Sequence, residues 1–156
     1  MPVAASPFNL PRGVTGFDDQ RLLPTPHDLL KELKALGHEV ARQSRGRIIG
    51  GAAGGLVGDN FHRLHLEGRD FRVVLLLNAF HPLVGFAKTD ASEPVFTDIP
   101  EGFLSRNQGL FTFIGKAILN SPPDRASLSA LAEAEIQQMD YWRPRRLGDI
   151  IFNHWD

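Results

Sequence analysis

The segment FHRLHLEGRDFRVVLLLNAFHPLVGFAK, residues 61–88, decides the fold. It contains two strand-like runs, 61–67 and 71–79, on either side of Gly68-Arg69, a pair that suits a tight type II′ turn. The run Val73–Leu77 is apolar on both faces, which predicts a strand in the middle of a sheet. A turn at residues 78–82 then leads into a third run, Leu83–Lys88. The segment therefore predicts a three-stranded antiparallel meander.

The predicted turn also sets a register for the first two strands. It pairs Leu66 with Phe71, Leu64 with Val73 and His62 with Leu75 on one face. The opposite face then carries Arg63, His65, Arg72 and Val74. His62 and His65 point away from each other in this arrangement, because successive side chains of a strand alternate between faces.

Helical patterns flank the meander. Thr25 suits a helix N-cap and Pro26 the first helical position, and four leucines follow at helical spacing: Leu29, Leu30, Leu33 and Leu36. Gly37 is a candidate end for this helix, although Val40 and Ala41 permit a further turn. The apolar sets within residues 110–118 and 128–139 predict two more helices.

The C-terminal segment Leu147–Asn153 is apolar on both faces and predicts a strand that returns to the sheet. The sequence thus predicts an α+β fold with an antiparallel sheet of about four strands, namely the meander 61–88 plus the C-terminal strand, packed by three helices. Residues 1–24 are interpreted as an N-terminal arm rich in proline and glycine, and residues 25–156 as a single domain. Phe8, Leu10 and Phe17 are enough to dock the arm.

Composition excludes several functional classes. The chain has 156 residues and a formal net charge of −1, so it lacks the strongly basic footprint of a nucleic-acid-binding domain. It has no cysteine, which excludes disulfides, thiolate metal sites and thiol nucleophiles. No run approaches the roughly 20 apolar residues of a membrane span, and no secretory signal is visible. We therefore expect a cytoplasmic protein, and its 13 arginines against four lysines suggest a bacterial coding sequence.

Five glycines close together form the most unusual stretch of the chain: Gly50, Gly51, Gly54, Gly55 and Gly58. The spacing fits neither a P-loop, which needs Lys and Ser or Thr after its last glycine, nor a dinucleotide fingerprint. The stretch is also too short to cross a membrane as a glycine-zipper helix. We interpret it as a flexible or tightly turned connection, with a mobile loop over a ligand as the alternative.

Catalytic and metal-binding patterns are weak. Six histidines invite a metal, but His62 and His65 cannot share one from opposite faces of a strand. His65 does share a face with Glu67, yet two ligands are not a site. No serine lies in a Gly-x-Ser-x-Gly elbow. We therefore assign no catalytic residue, cofactor or metal.

Candidate binding residues concentrate near the C-terminus. The stretch from Tyr141 to the chain end holds both tryptophans among arginines. We interpret the tryptophans as filling the ends of the core with arginines stacked over them. The alternatives are an interaction surface, since this combination is enriched at protein interfaces, and a ligand pocket. An acidic run without a nearby Lys or Arg is either a solvated loop or a docking patch for a basic partner: Asp90, Glu93, Asp98 and Glu101. The binding candidates taken together are His62, His65, Arg72, His81, Trp142, Arg143, His154 and Trp155.

Two functions remain open from the sequence. The first is a non-enzymatic cytoplasmic protein that binds another protein, of the regulatory, accessory or toxin-neutralising (immunity) kind, with a homodimer as one form. The alternative is a small enzyme or ligand-binding domain. Its pocket would be lined by His62 or His65 with Arg72 and His154, under a lid formed by the glycine segment 50–58. Nucleic acid is a distant third, because Arg42, Arg45 and Arg47 form only a short basic patch.

Overall fold

The computed structural model describes residues 3–5, 7–18, 27–43, 45–52, 60–69, 71–88, 94–100, 102–103 and 109–155. These residues contain six strands: β1 Arg47–Ala52, β2 Phe61–Glu67, β3 Arg72–Asn78, β4 Leu83–Ala87, β5 Phe96–Thr97 and β6 Thr112–Phe113. They also contain four helices: α1 His27–Gln43, α2 Lys116–Leu119, α3 Glu133–Trp142 and α4 Leu147–Ile151. The fold class is α+β, with two more strands and one more helix than the sequence predicted.

The strands form one sheet in the order β1-β2-β3-β4-β5, with all these neighbours antiparallel, while β6 pairs with β4 in parallel. The predicted meander is therefore present as β2, β3 and β4. β3 is central as expected, since Val73–Asn78 is buried throughout. It lies between two apolar layers, which is why its sequence has no polar face.

The predicted register of β2 and β3 is wrong by two residues. Leu66 pairs with Val73 and Leu64 with Leu75, so the loop is longer than a two-residue turn. Phe71 does not continue the strand: its carbonyl accepts the Gly68 N–H at 2.8 Å, and its ring lies so close to Gly68 that a Cβ there would overlap it. A shift of two preserves the faces, because the side-chain period of a strand is two.

The glycine segment is partly a strand, so its interpretation as a connection is wrong for Gly50 and Gly51. These two residues belong to β1 and pair with His65 and Leu64 of β2. The register shifts between Ile48 and Gly50, at a β-bulge or similar irregularity of the ladder. Extra residues of this kind are common at sheet edges, and glycine often marks them. The remaining members, Gly54, Gly55 and Gly58, lie outside the described residues.

One face of the sheet packs against α1. We call this the α1 core, and its buried members are Leu33, Val40, Ala41, Leu64, Leu66, Val73, Leu75, Leu77, Val84, Phe86, Phe103, Phe111 and Phe113. The helix runs past Gly37 to Gln43, because Gly37 serves as a contact point rather than an end. A Cβ at this position would lie 2.9 Å from a methyl of Leu64. The predicted cap residues Thr25 and Pro26 lie outside the described residues.

The other face packs against segments from both ends of the chain. We call this the terminal core, and its buried members are Leu10, Val14, Phe61, Val74, Leu76, Leu83, Ala87, Phe96, Ile114, Ile118, Leu119, Met139, Leu147, Ile150, Ile151, Phe152 and Trp155. The N-terminal segment is docked through Leu10 and Val14, which are fully buried. Val3 also forms a parallel bridge with Phe113 at the end of β6.

Three further predictions of secondary structure are corrected. The C-terminal strand is wrong: Leu147–Ile151 is the helix α4, which buries Leu147, Ile150 and Ile151 at helical spacing. The predicted helix at 110–118 is divided into strand β6 and the short helix α2. The helix predicted at 128–139 begins only at Glu133, after turns stabilised by bonds between Asp124 and Ser127. No helix among the described residues is long and apolar enough to cross a membrane.

Candidate functional site

The last turn of α3 presents large aromatic side chains to solvent. Tyr141 is 77% exposed and Trp142 is 40% exposed, and their rings pack edge to face with centroids 5.2 Å apart. The helix ends at Arg143, which adopts a left-handed conformation with φ 51° and ψ 61°. Pro144 follows and prevents further helix. The exposed aromatic pair is therefore fixed at a helix end.

Trp142 is held in place from behind. Its ring stacks on that of Trp155 with an interplanar angle of 3° and a centroid distance of 6.3 Å. Its indole N–H donates to Oε1 of Gln138 at 3.2 Å. Trp155 is only 9% exposed and also contacts Phe17 of the N-terminal segment. The exposed ring of Trp142 is thus connected to the terminal core through the buried ring of Trp155.

An open groove begins beside Trp142, with a volume of about 1170 Å³. We call it the C-terminal groove. It lies between β5 and α2 on one side and the connection from α3 to α4 on the other. Its lining consists of Pro94, Val95, Phe96, Lys116, Asn120, Trp142, Arg143, Pro144, Arg145, Arg146, Asp149, Phe152, Asn153, His154 and Trp155. The bottom is aromatic because Phe96, Phe152 and Trp155 are core residues.

Arg146 fixes the two sides of the groove to each other. Its guanidinium makes two hydrogen bonds to the carboxylate of Asp149, at 3.0 and 2.6 Å. It also donates to the carbonyl of Pro94 at 2.9 Å and lies 4.6 Å from the ring centre of Phe96. The bidentate ion pair with Asp149 and the stacking on Phe96 together hold this side chain in one position. The groove is consequently built into the fold.

The remaining cations of the groove are exposed. Within the part of the chain that the structure describes, no ion-pair partner contacts the side chains of Lys116, Arg143 or Arg145. Among the described residues of the lining, Asp149 is the single carboxylate, and Arg146 neutralises it. Three arginines and one lysine against one carboxylate give the described part of the lining a formal charge of +3. The groove is therefore cationic as well as aromatic.

Three buried asparagines, one of which lines the groove, have structural roles. Asn60 and Asn78 both donate to the carbonyls of Val14 and Ile151, at 2.7–3.0 Å. Asn153 donates to the carbonyl of Thr15, and its backbone N–H donates to Oδ1 of Asn60. Since each side-chain amide both donates and accepts within the chain, these amides are engaged in joining the two chain ends to the sheet.

Glu135 is a further buried polar side chain, and the hydrogen-bonding capacity of its carboxylate is also filled. One carboxylate oxygen accepts from the backbone N–H groups of Gly13 and Ala132, and the other accepts from the backbone and hydroxyl of Thr15. A carboxylate with four donors has little capacity left for a substrate or metal. Glu135 therefore ties the N-terminal segment to α3.

The structure brings together four of the predicted binding residues, namely Trp142, Arg143, His154 and Trp155, which all line the C-terminal groove. His154 is exposed, and its ring centre lies 5.3 Å from that of Phe61. The sequence reasoning missed Val95, Lys116, Asn120 and Asp149 as groove residues. Val95 directly precedes β5, Lys116 and Asn120 lie at the two ends of α2, and Asp149 lies in α4, so no local pattern indicated their approach.

The other four candidates lie elsewhere. His62 and His65 are on opposite faces of β2, as expected, and burial together with the nearby charge of Lys34 lowers the pKa of His62. Arg72 pairs with Glu67 at the hairpin end of the sheet, with a 3.3 Å distance between Nη2 and Oε2. His81 packs against the N-terminal segment, with Nε2 2.7 Å from the carbonyl oxygen of Arg12.

The structure does not bring together the residues predicted to line the pocket of an enzyme or ligand-binding domain. Arg72 lies opposite Glu67 at one end of β2, whereas His154 contacts Phe61 at the other end. Six residue steps along a strand separate these ends by about 20 Å. His62, in turn, faces α1 and not the side of the sheet on which His154 lies.

The acidic run is described only at Asp98, which is exposed and accepts the backbone N–H of Lys116 at 3.2 Å. Asp90, Glu93 and Glu101 lie outside the described residues. The described residues contain no group of three or more His, Asp or Glu side chains placed to hold a metal ion.

No protein-family model, curated protein or solved structure matches the chain.

Proposed function

We propose that this chain is a cytoplasmic protein-binding protein of the regulatory, accessory or toxin-neutralising kind, and that it engages its partner through the C-terminal groove and the aromatic pair beside it. The observation that carries the proposal is the exposure of Tyr141 and Trp142 on a rigid base. Large aromatic side chains next to arginine are the residues that contribute most to protein interfaces.

The rigidity of this base supports the proposal on energetic grounds. Binding a flexible side chain costs about 0.5–1.5 kcal/mol of ordering free energy. Trp142 already stacks on Trp155 and bonds to Gln138, so part of this cost is met during folding. Tyr141 is fixed from one side by the edge-to-face contact with Trp142. The surface is therefore preorganised for contact with a partner.

The placement of the polar residues also favours binding over the enzyme alternative. Among the described residues, the buried carboxylate of Glu135 and the buried amides of Asn60, Asn78 and Asn153 are engaged in joining segments of the chain. The cations of the groove have no carboxylate or imidazole base among the described residues other than Asp149, which is paired with Arg146, and His154. Positive charge beside aromatic rings suits recognition more than proton transfer.

Capture from host lysate tests the proposal. The full-length chain is immobilised, and stoichiometric partners are identified by native mass spectrometry, which also reports a second copy of the chain. We expect a protein partner whose recovery falls at least tenfold with the double variant Tyr141→Ala, Trp142→Ala. Leu110→Ala serves as the matched control, because Leu110 is an exposed apolar residue that does not line the groove.

The proposal fails on either of two results. One is the absence of any stoichiometric protein partner under several conditions of growth and ionic strength. The other is a partner that the double variant and the Leu110→Ala control retain equally, since binding would then occur at a different surface. Near-identical melting temperatures of the three proteins show that the comparison concerns binding and not folding.

A further inference from the structure

The charge of the described residues that line the C-terminal groove differs in sign from that of the whole chain. The lining residues that the structure describes carry a formal charge of +3, whereas the complete sequence carries −1. The cations are therefore concentrated at one place and are not a consequence of overall basicity. Charge lining a concave surface attracts ligands of opposite sign and speeds their association.

Arg143 gives the groove a cation at a position where the backbone favours glycine. Its φ of 51° lies in the left-handed region, and helix ends with this conformation usually carry glycine. The arginine at this position adds strain to the backbone, and its exposed side chain has no ion-pair partner among the residues that the structure describes. The side chain of Arg143 is thus available to a ligand of negative charge.

The bottom of the groove supplies a second, apolar preference. Phe96, Phe152 and Trp155 lie beneath it, and Val95 on the side is 53% exposed. The volume of about 1170 Å³ exceeds the range of about 300–1,000 Å³ that is usual for small-ligand pockets. It therefore accommodates a short stretch of chain with one or two large side chains inserted.

We infer that the C-terminal groove recognises an acidic segment of a partner protein that inserts an aromatic or large aliphatic side chain between Trp142 and Val95. Carboxylates of the segment pair with Arg143, Arg145 and Lys116, and its apolar anchor lies over the aromatic bottom. This inference rests on the proposed function and specifies the partner's chemistry. A polynucleotide is the less suitable occupant, because three unpaired cations beside one groove do not form a continuous track along a phosphate backbone.

Designed peptides test this chemistry directly. The probe is a fluorescein-labelled peptide of about ten residues, long enough to span roughly 30 Å when extended. It consists of aspartate and glutamate with one phenylalanine and one leucine at its centre. Three controls accompany it: the same peptide with alanine in place of the two apolar residues, a charge-reversed peptide of lysine and arginine with the same anchors, and a labelled oligothymidylate.

Fluorescence anisotropy with the full-length chain gives the affinities. We expect the acidic anchored peptide to bind at least tenfold more tightly than each control, and we expect its affinity to fall as salt is added. Equal binding of the charge-reversed peptide, or tighter binding of the oligothymidylate, overturns the inference. So does concentration-dependent self-association that Trp142→Ala abolishes, because the occupant would then be a second copy of the chain.

A matched pair of variants separates recognition from folding. Arg143→Gly removes a groove cation and relieves the left-handed backbone, whereas Arg45→Gly makes the same change at φ 55° after α1, away from the groove. We expect both variants to melt at or above the temperature of the parent chain. We expect only Arg143→Gly to weaken the acidic peptide, by about tenfold, the size expected when one charge-assisted contact is lost. Equal affinities for the two variants contradict the inference.

The two proposals can fail separately. If a lysate partner depends on Trp142 but the acidic peptide neither binds nor competes with it, the chain binds protein and only the inferred chemistry of the segment is wrong. If no partner depends on Tyr141 and Trp142, the proposed function fails, whatever the peptide does.

Discussion

At the scale of single residues, the buried carboxylate of Glu135 connects the N-terminal segment to the start of α3. Its side chain is fully buried, and its two oxygens receive four hydrogen bonds from Gly13, Thr15 and Ala132. Burial of a carboxylate is costly unless its hydrogen-bonding capacity is filled. Here the donors come from the N-terminal segment and from the residue that precedes α3, so the charge fixes two distant parts of the sequence to each other.

Replacing Glu135 by glutamine should therefore destabilise the protein strongly. The NH₂ group of glutamine would replace one carboxylate oxygen and could not accept the two hydrogen bonds that this oxygen receives. Each buried group left unsatisfied costs about 1–3 kcal/mol. We expect Glu135→Gln to lower the free energy of unfolding in urea by about 2–4 kcal/mol. Glu133→Gln is the control, because Glu133 is exposed in the first turn of the same helix and its loss should cost about 0.3–1 kcal/mol. Equal effects of the two substitutions would show that the Glu135 connection is not stabilising.

His62 links stability to acidity. Burial, with a smaller effect of Lys34, lowers its pKa in the folded chain below the ordinary value of about 6.5. Between the folded and unfolded pKa values the unfolded chain binds more protons, so the free energy of unfolding decreases as the pH falls below 6.5. Above that pH, His62 is neutral in both states and contributes no such dependence.

Urea titrations at pH 7.5 and 5.5 check this prediction. We expect His62→Gln to lose less stability than the parent chain on acidification, because it removes the penalty of charging a half-buried imidazole. Lys34→Gln removes the second cause that lowers the pKa of His62. This variant should therefore also lose less stability than the parent chain between pH 7.5 and 5.5. An identical change between the two pH values in the parent and in His62→Gln would contradict the assigned role.

At the scale of elements, α4 shows why a short apolar run is ambiguous. Ile150, Ile151 and Phe152 are consecutive apolar residues, which a strand buried on both faces and a helix buried all round explain equally well. The element lies between other parts of the terminal core, with Gly148 against the ring of Phe96 and near the carbonyl oxygen of Leu119. Such surroundings are set by the tertiary fold and leave no periodicity in five residues.

The close approach at Gly148 yields a prediction for this element. A Cβ at Gly148 would overlap the ring of Phe96, which is itself fully buried. Overpacking of this kind costs typically about 1–3 kcal/mol, and we expect Gly148→Ala to lower the free energy of unfolding by at least about 2 kcal/mol. The control is Gly115→Ala, since a Cβ at Gly115 has Asp98 Oδ1 as its nearest neighbour, at 3.7 Å. A neutral result for Gly148→Ala would mean that α4 shifts freely.

The strength of the local sequence pattern decides which elements the sequence predicts. β2, β3 and β4 are found because alternation, a doubly apolar strand and turn residues all indicate the same meander. β1, β5 and β6 are missed. Glycines in β1 carry no side-chain pattern, and β5 and β6 are each only two residues long. The error in register arises from Phe71, whose β-propensity suggests a strand residue although its ring packs back on Gly68.

At the scale of the whole molecule, the groove depends on residues that the chain brings together from a distance. Trp142, Arg143, His154 and Trp155 were found because they are close in sequence and share a composition typical of interfaces. Val95 and Lys116 lie more than 20 residues upstream of them and become neighbours only through the packing of β5 and α2. The rim of the site was therefore predictable in part, and its opposite side was not.

Both ends of the chain converge on one buried polar cluster. The carbonyl of Val14 accepts from Asn60 and Asn78, and the carbonyl of Ile151 accepts from the same two amides. Asn153 reaches back to the carbonyl of Thr15. The sheet thus joins the N-terminal segment to the C-terminal one, so losing either side should weaken the attachment of the other.

Truncation tests this dependence on the chain ends. Ending the chain after Gly148 removes four residues of the terminal core, namely Ile150, Ile151, Phe152 and Trp155, together with Asn153. At about 1.5–3 kcal/mol for each buried side chain, the apolar loss is about 6–12 kcal/mol, which is comparable with the whole stability of a typical domain at about 5–15 kcal/mol. We expect the truncated chain to be insoluble or to lack a cooperative thermal transition.

Deleting residues 1–6 is the control: it removes the hydrogen bond from the Ala4 N–H to the Phe113 carbonyl and should cost only about 1 kcal/mol. A cooperative melt of the C-terminal truncation would contradict the structural role of α4 and would make residues 149–156 a separable binding peptide.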